Sequence, residues 1–172
     1  DYAFYPHTND DILAIGVCID DMAEENGPLM VYPGSHKGPV FDHHVGGIFA
    51  GSMLPNENGL NPANAVKLMG PAGSVSIHNG RIVHGSALNG SDHARRILFF
   101  ELMAADAFPI MGSMTRWEGI MDYDTRMLCG QSTLNPRLKY IPVRIPQPQP
   151  DVPISIYEIQ KGMKKRAFDT IT

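Results

Sequence analysis

The residues with the most chemical potential fall in one stretch, Ile77-His78-Asn79-Gly80-Arg81-Ile82-Val83-His84-Gly85-Ser86, followed by Arg95-Arg96. Side chains alternate along a strand, so His84 and Ser86 share a face, with Ile82 beside them. A following antiparallel strand, after a turn at 89–92, would bring Arg95 to the same interior. An imidazole, a hydroxyl and a guanidinium would then converge on one pocket. A guanidinium enclosed in a β-barrel needs an anion, because an uncompensated buried charge is strongly destabilising. A dicarboxylate would supply one through a bidentate contact. Arg96 faces the other way and reads as a surface residue.

Other candidates are weaker. Taken alone, His84 reads as well as a satisfied core histidine, and Asp1 as a terminal carboxylate. His78 starts the turn into the His84 strand and either lines the pocket or makes a structural hydrogen bond. Tyr2, Tyr5 and Asn79 are reasonable wall residues, and Trp117 is a candidate cover for the opening. His7, Asn9 and Asp10 imitate a ligand cluster but fall in a polar turn, where capping or substrate contact suits them better. His36 and Lys37 read as part of a turn after Pro33-Gly34. Asp42-His43-His44 is a decoy for a metal site, since neighbours on an extended chain point oppositely. A zinc hydrolase built on His43, His44 and His78 would need a further ligand and a general base, and neither is evident.

The elements that must position these groups are short. Ile12 to Ile19 is an apolar run bounded by Asp10-Asp11 and Asp20-Asp21, as a buried strand would be. Asn26-Gly27 precedes a second apolar run and signals a hairpin. Residues 38–65 read as an irregular insertion over one face, of the kind that forms binding loops. Residues 73–78, 81–88 and 95–103 read as three strands of an antiparallel meander. A short helix is expected near 122–129, an extended Pro-rich strap at 145–153, and a helix over 154–168 with Lys161, Lys164, Lys165 and Arg166 on its solvated side.

Composition bounds the class. The 172 residues suit one domain, and the 17 glycines and 14 prolines predict many turns and a mostly β fold. A formal charge of −4 leaves no net positive field for nucleic acid. No apolar run is long enough for a membrane span. Cys18 and Cys129 form no metal or disulfide spacing, so a cytoplasmic setting is the default. The ten methionines read as adaptable filler.

Residues 1 to about 103 resemble the phytanoyl-CoA dioxygenase family of iron(II)- and 2-oxoglutarate-dependent oxygenases. The resemblance rests on Asn26-Gly27-Pro28-Leu29-Met30-Val31-Tyr32-Pro33-Gly34-Ser35-His36-Lys37-Gly38, on His84-Gly85-Ser86, and on Arg95 placed eleven residues after His84. It implies a double-stranded β-helix, a jelly roll of the cupin kind, with short peripheral helices. It also implies Asp1 as the Asp of an H-x-D motif and His84 as the second histidine of the metal triad. Two imidazoles and one carboxylate occupy one face of iron(II) and leave positions open for cosubstrate and oxygen. Arg95, assisted by Ser86, would take the far carboxylate of 2-oxoglutarate. Implied cofactors are Fe(II), 2-oxoglutarate and O2, with ascorbate as an accessory reductant.

The first histidine of the motif would lie two positions before Asp1. The chain therefore reads as the C-terminal portion of a longer domain, with a core at 1–103 and a C-terminal extension at 104–172. On its own it is expected to bind iron poorly and to turn nothing over. The expected activity of the parent is hydroxylation of a small molecule, and the alternative is a non-catalytic cupin-like binding module. The substrate and the oligomeric state are not encoded in any pattern above.

Overall fold

The protein's structure, a computed structural model, describes residues 1–111 and 124–151. Among them run eight strands: β1 (Ile12–Cys18), β2 (Leu29–Val31), β3 (His44–Val45), β4 (Ile48–Phe49), β5 (Val66–Lys67), β6 (Val75–Asn79), β7 (His84–Ser86) and β8 (Ile97–Met103). β1 forms where β-branched and apolar residues run uninterrupted between two aspartate pairs. Two three-stranded antiparallel sheets result, β6-β1-β8 and β5-β2-β7, with β3-β4 as a separate ribbon.

β6, β7 and β8 alternate between the two sheets, which is how a jelly roll is wound. This corrects the expected meander, because β6 and β8 both pair with β1 while β7 pairs with β2. The cause lies at the turn after β6. Gly80 N–H donates to the Ile12 carbonyl at 2.9 Å and Ile82 N–H to the Asn79 carbonyl at 2.9 Å, so the chain leaves the first sheet there. The hairpin expected at Asn26-Gly27 is likewise absent, since β1 and β2 lie in different sheets. Asn26 instead closes the crossing loop: its amide donates to the Asp21 carbonyl at 2.8 Å, and its side-chain oxygen accepts from Ala23 N–H at 3.0 Å.

Between the sheets lie Ile12 and Ala14 of β1 and Leu29 and Val31 of β2, all buried. On the far side of the second sheet Met30 and Tyr32 are covered by Leu60 and Ala65 of the 38–65 insertion, with Val83 and Ala87 beside them. The ribbon inside that insertion was not legible in its periodicity. Its signal is Gly46-Gly47, whose φ values of 60° and 84° suit a two-residue turn. The Pro-rich strap lies on this ribbon: Phe49 N–H donates to the Pro148 carbonyl at 2.9 Å, and His44 Nε2 reaches the Gln147 carbonyl at 3.0 Å. The far side of the first sheet carries Leu13, Val75, Ile77, Leu98 and Phe100, all exposed. Of the expected helices, only a turn at 124–125 is described, and residues 154–168 and Trp117 lie outside the described residues. No described helix is long and apolar enough to cross a membrane.

Charged groups fasten the segment at 137–139 to the start of β1. Asp10 accepts from Arg81 Nη1 at 2.7 Å and from Lys139 Nζ at 2.6 Å. Arg137 pairs with Asp106 at 2.9 Å and also with Asp11. Burial pushes Asp10 up from the ordinary 3.8, but the hydrogen bonds from Lys139 and Arg81 outweigh it and hold the carboxyl below that value. The stability it contributes is therefore present above the ordinary carboxylate range and lost as pH falls through the lowered value. Asp10→Asn is expected to cost about 1–3 kcal/mol in urea unfolding at neutral pH. The gap from wild type should close below roughly pH 4, where the wild-type carboxylate also takes up its proton.

Gly27 holds the crossing loop against β7. Its φ is +67°, and a Cβ there would stand 2.5 Å from the Ala87 carbonyl oxygen. Gly27→Ala should lower unfolding free energy by about 2–4 kcal/mol, since backbone strain and a clash with backbone add together. A variant as stable as wild type in the same titration would contradict this packing.

Candidate metal centre and active site

Asp1, His78 and His84 meet at the edge of the two sheets. His84 begins β7 opposite Val31, and His78 lies in β6 opposite Ala14. Asp1 is brought to them by a turn in which its carbonyl accepts from Phe4 N–H at 2.8 Å, while Tyr2 N–H donates to the Gly80 carbonyl at 2.9 Å. Asp1 Oδ1 stands 3.5 Å from His84 Nε2, and Asp1 Oδ2 stands 3.6 Å from His78 Nε2. One ligand-capable atom from each residue lies within 4.8 Å of the others. Donors bound to one ion at about 2.1 Å are separated by roughly 3–3.5 Å, so the spacing suits a shared cation better than direct hydrogen bonds.

Two further observations fit a metal. Asp1 Oδ2 is buried without a hydrogen-bond partner, a costly state for a carboxylate oxygen unless a cation supplies the missing charge. His84 Nδ1 faces the Ile82 carbonyl at 3.0 Å. A carbonyl only accepts, so Nδ1 carries the hydrogen and Nε2 presents its lone pair toward Asp1, the usual anchoring of a ligating imidazole. Burial lowers the His84 pKa to about 4, keeping that lone pair free at neutral pH. His78 is different, because its Nδ1 is buried with no partner and its tautomer is unanchored.

Arg95 and Ser86 converge on the segment that enters β2. Ser86 lies opposite Leu29, and Arg95 Nη1 donates to the Gly27 carbonyl. Among the described residues no carboxylate pairs with Arg95. The two groups thus approach from β7 and from the turn before β8, although β7 and β8 do not pair as the sequence suggested. Arg96 binds Asp20 through Nε at 2.9 Å and Nη2 at 2.7 Å, on the surface as expected.

Tyr2 and Asn79, expected in the pocket wall, and His7, expected to cap or to contact substrate, all bond to backbone carbonyls of the framework. Tyr2 is only 2% exposed and its hydroxyl donates to the His7 carbonyl at 2.7 Å. His7 is buried with Nδ1 at 2.7 Å from the Tyr5 carbonyl. Asn79 points to the face opposite His78, where its amide donates to the Asp10 carbonyl at 3.2 Å and its oxygen accepts from Arg81 N–H at 2.9 Å. Strand parity decides this last case, since His78 and Asn79 are neighbours. Asn9 caps, accepting from Asp11 N–H at 3.1 Å.

The His43-His44 pair divides as neighbours on an extended chain should. His44 is engaged by Asp42 at 2.5 Å and by the Gln147 carbonyl, leaving neither nitrogen for a site with His78. His43 packs edge-on against Phe4 at 6.1 Å, and its Nδ1 lies 2.8 Å from the Phe41 carbonyl.

Glu101 was missed. Ala14 lies opposite His78 on one side and opposite Glu101 on the other, so the three share one face and Glu101 looks into the site. Burial pushes the Tyr5 phenol up, and the nearby Glu101 carboxylate adds to it. The available signal is a single acid inside the apolar run Ile97-Leu-Phe-Phe-Glu-Leu-Met103.

A family model described as phytanoyl-CoA dioxygenase matches residues 1–97. The chain is 37% identical over 172 residues to a Stutzerimonas stutzeri protein named "Probable alpha-ketoglutarate-dependent hypophosphite dioxygenase", covering 98% of this chain and 59% of that protein. It is 33% identical over 119 residues to an L-proline trans-4-hydroxylase of Streptomyces griseoviridis, covering 57% of this chain and 44% of the relative. The chain thus spans about half the length of these relatives. The fold is shared with the non-heme alpha ketoglutarate dependent epimerase SnoN from nogalamycin biosynthesis, at a TM-score of 0.51 and 23% identity, covering 81% of this chain and 51% of that one. With the matched model spanning more than half of its residues, the chain belongs to the phytanoyl-CoA dioxygenase family.

Proposed function

We propose that the protein is an iron(II)- and 2-oxoglutarate-dependent dioxygenase that hydroxylates a small molecule and releases succinate and CO2. The observation that carries this reading is the Asp1 carboxylate, whose Oδ2 is buried without a partner and whose Oδ1 stands 3.5 Å from the Nε2 lone pair of a His84 anchored through Nδ1. Family membership and relatives named as dioxygenase and hydroxylase support it.

In this reading Asp1 and His84 hold the iron, together with a histidine two positions upstream of Asp1. Arg95, with Ser86 beside it, takes the far carboxylate of 2-oxoglutarate. Bound iron supplies the activation of oxygen that couples oxidation of 2-oxoglutarate to insertion of one oxygen atom into a substrate C–H bond, with the other entering succinate. The chain's own groups do the placing. Ile82 fixes the His84 tautomer, Gly27 restrains the Arg95 guanidinium, and the buried Ile12, Ala14, Leu29 and Val31 keep water from the sheet side. Ascorbate fits as the reductant that returns iron to the ferrous state. Free Cys18 and Cys129 support a reducing, cytoplasmic setting. The relatives' names cover an inorganic phosphorus species and an amino acid, so they do not by themselves select a substrate.

Succinate formation by the full-length protein with iron(II) and 2-oxoglutarate, across a panel of small molecules, tests the activity. Absence of succinate from every candidate despite bound iron would favour a cupin-like binder. Arg95→Ala should raise the KM for 2-oxoglutarate about tenfold or more while the thermal melt stays near wild type, because one charge-assisted contact to the cosubstrate is removed. Unchanged 2-oxoglutarate affinity would refute its role.

His84 also sets a pH dependence. Its folded pKa of about 4 lies below the ordinary 6.5, so in that window the unfolded chain binds the proton and the folded chain does not. In metal-free protein, unfolding free energy should therefore fall as pH drops from about 6.5 toward 4. His84→Gln should flatten that slope in denaturant titrations.

A further inference from the structure

The two histidines beside Asp1 are set up differently. His84 Nδ1 faces the Ile82 carbonyl at 3.0 Å, which fixes a hydrogen on Nδ1 and frees Nε2 to hold an ion. His78 has no such acceptor. Its Nδ1 is buried without a partner, and the rings beside it are those of Phe99 at 6.4 Å and His84 at 5.4 Å, centroid to centroid. A hydrogen on that nitrogen would be an N–H sealed from water with nothing to accept it, the rarer and costlier kind of buried orphan. A lone pair there is better tolerated. Burial and the Asp1 amino group oppose a second proton on the ring, against a smaller opposing pull from Glu101. The ring therefore carries one hydrogen, on Nε2.

That nitrogen points at the oxygen in need of a donor. His78 Nε2 stands 3.6 Å from Asp1 Oδ2, which is itself buried and unpartnered, while His84 Nε2 stands 3.5 Å from Asp1 Oδ1. The carboxylate thus meets a different imidazole at each oxygen. An ion held by Oδ1 and His84 balances the charge of the group but leaves Oδ2 short of a hydrogen bond. A 3.6 Å separation is long for one, as contacts of this kind commonly are before a site is loaded. Strand pairing fixes where His78 sits, in register opposite Ala14 and only 7% exposed, so the ring has little freedom to turn elsewhere.

We propose that His78 is a positioning residue and not a ligand: its Nε2–H holds Asp1 Oδ2, so that the carboxylate meets the ion through Oδ1 alone. As a ligand, His78 would need the opposite tautomer, with its hydrogen on the sealed Nδ1. It would also add a further protein donor to the two histidines and one carboxylate of the proposed site, leaving too few open positions for cosubstrate and oxygen. One task for each carboxylate oxygen keeps those positions open. The action on Asp1 rests on the metal-centre reading above, whereas the His78 tautomer follows from the burial of its own ring.

The test uses the full-length protein, first by nitrogen NMR of labelled imidazoles with Zn(II) and 2-oxoglutarate bound. His78 should show its hydrogen on Nε2 and neither nitrogen shifted by the metal, whereas His84 Nε2 should shift. Visible absorption of Co(II) then measures metal affinity in wild type and two variants. His78→Leu should weaken Co(II) binding about tenfold or more, the usual effect of losing an outer hydrogen bond to a ligand. His78→Gln, whose amide restores a donor at similar reach, should recover most of that loss. A hydrogen on His78 Nδ1, a metal shift at its Nε2, unaltered Co(II) affinity in His78→Leu, or a glutamine variant as weak as the leucine one overturns the proposal. Should His78→Leu fail to fold, the wild-type NMR decides alone. Failure of the wild type to take up Co(II) or Zn(II) refutes the metal centre and this role with it, a result distinct from a metal-loaded protein whose His78 has the wrong tautomer.

Discussion

A carboxylate oxygen buried without a donor is the constraint around which the rest is arranged. Asp1 Oδ2 has no hydrogen-bond partner, and the two imidazoles that face this carboxylate, His78 at Oδ2 and His84 at Oδ1, stand 3.6 and 3.5 Å away, too far to bond it well. Such an oxygen is tolerable only where a cation completes it. The surrounding structure provides for one. The Ile82 carbonyl turns His84 so that its lone pair faces inward, the turn at residues 1–5 fixes the Asp1 backbone, and Tyr2 is sealed into the framework behind it.

Holding that arrangement requires both sheets, because the three groups come from the N-terminal turn, β6 and β7. β6 belongs to one sheet and β7 to the other, and the Gly80 turn that separates them also anchors Tyr2. The outlying segments are tied back by charge. Asp10 joins Arg81, which follows β6, to Lys139, and Arg137 bridges Asp11 and Asp106. The more exposed of these pairs contribute little singly. Asp10 is the exception, since it is buried and its loss would leave two cations without their acceptor.

The 38–65 insertion combines two tasks. Leu60 and Ala65 cover Met30 and Tyr32 on the far side of the second sheet, while His43 packs edge-on against Phe4. The ribbon of β3 and β4 makes this feasible, since the Gly46-Gly47 reversal sets the direction of the loop and the Pro-rich strap pins it through Phe49 and His44. A loop that reads as featureless in composition is therefore held in place by one backbone hydrogen bond, from Phe49, and one side-chain contact, from His44, to a segment about a hundred residues away.

What the sequence by itself determined were the local properties: the apolar run of β1, the strand at residues 75–79, the fixed spacing of His84, Ser86 and Arg95, and the motif through Pro33-Gly34-Ser35-His36. These follow from side-chain chemistry and period, which a single segment carries within itself. Only the tertiary structure decided the pairing of strands. The meander and the Asn26-Gly27 hairpin were reasonable local readings, and both gave way because each strand finds its partner across the barrel, where hydrogen bonding is completed at long range. The same pairing chose between His78 and its neighbour Asn79 and set Glu101 beside His78 through Ala14. No spacing in the chain could announce that row, because its three members are neighbours only through the register of β1 with β6 and β8.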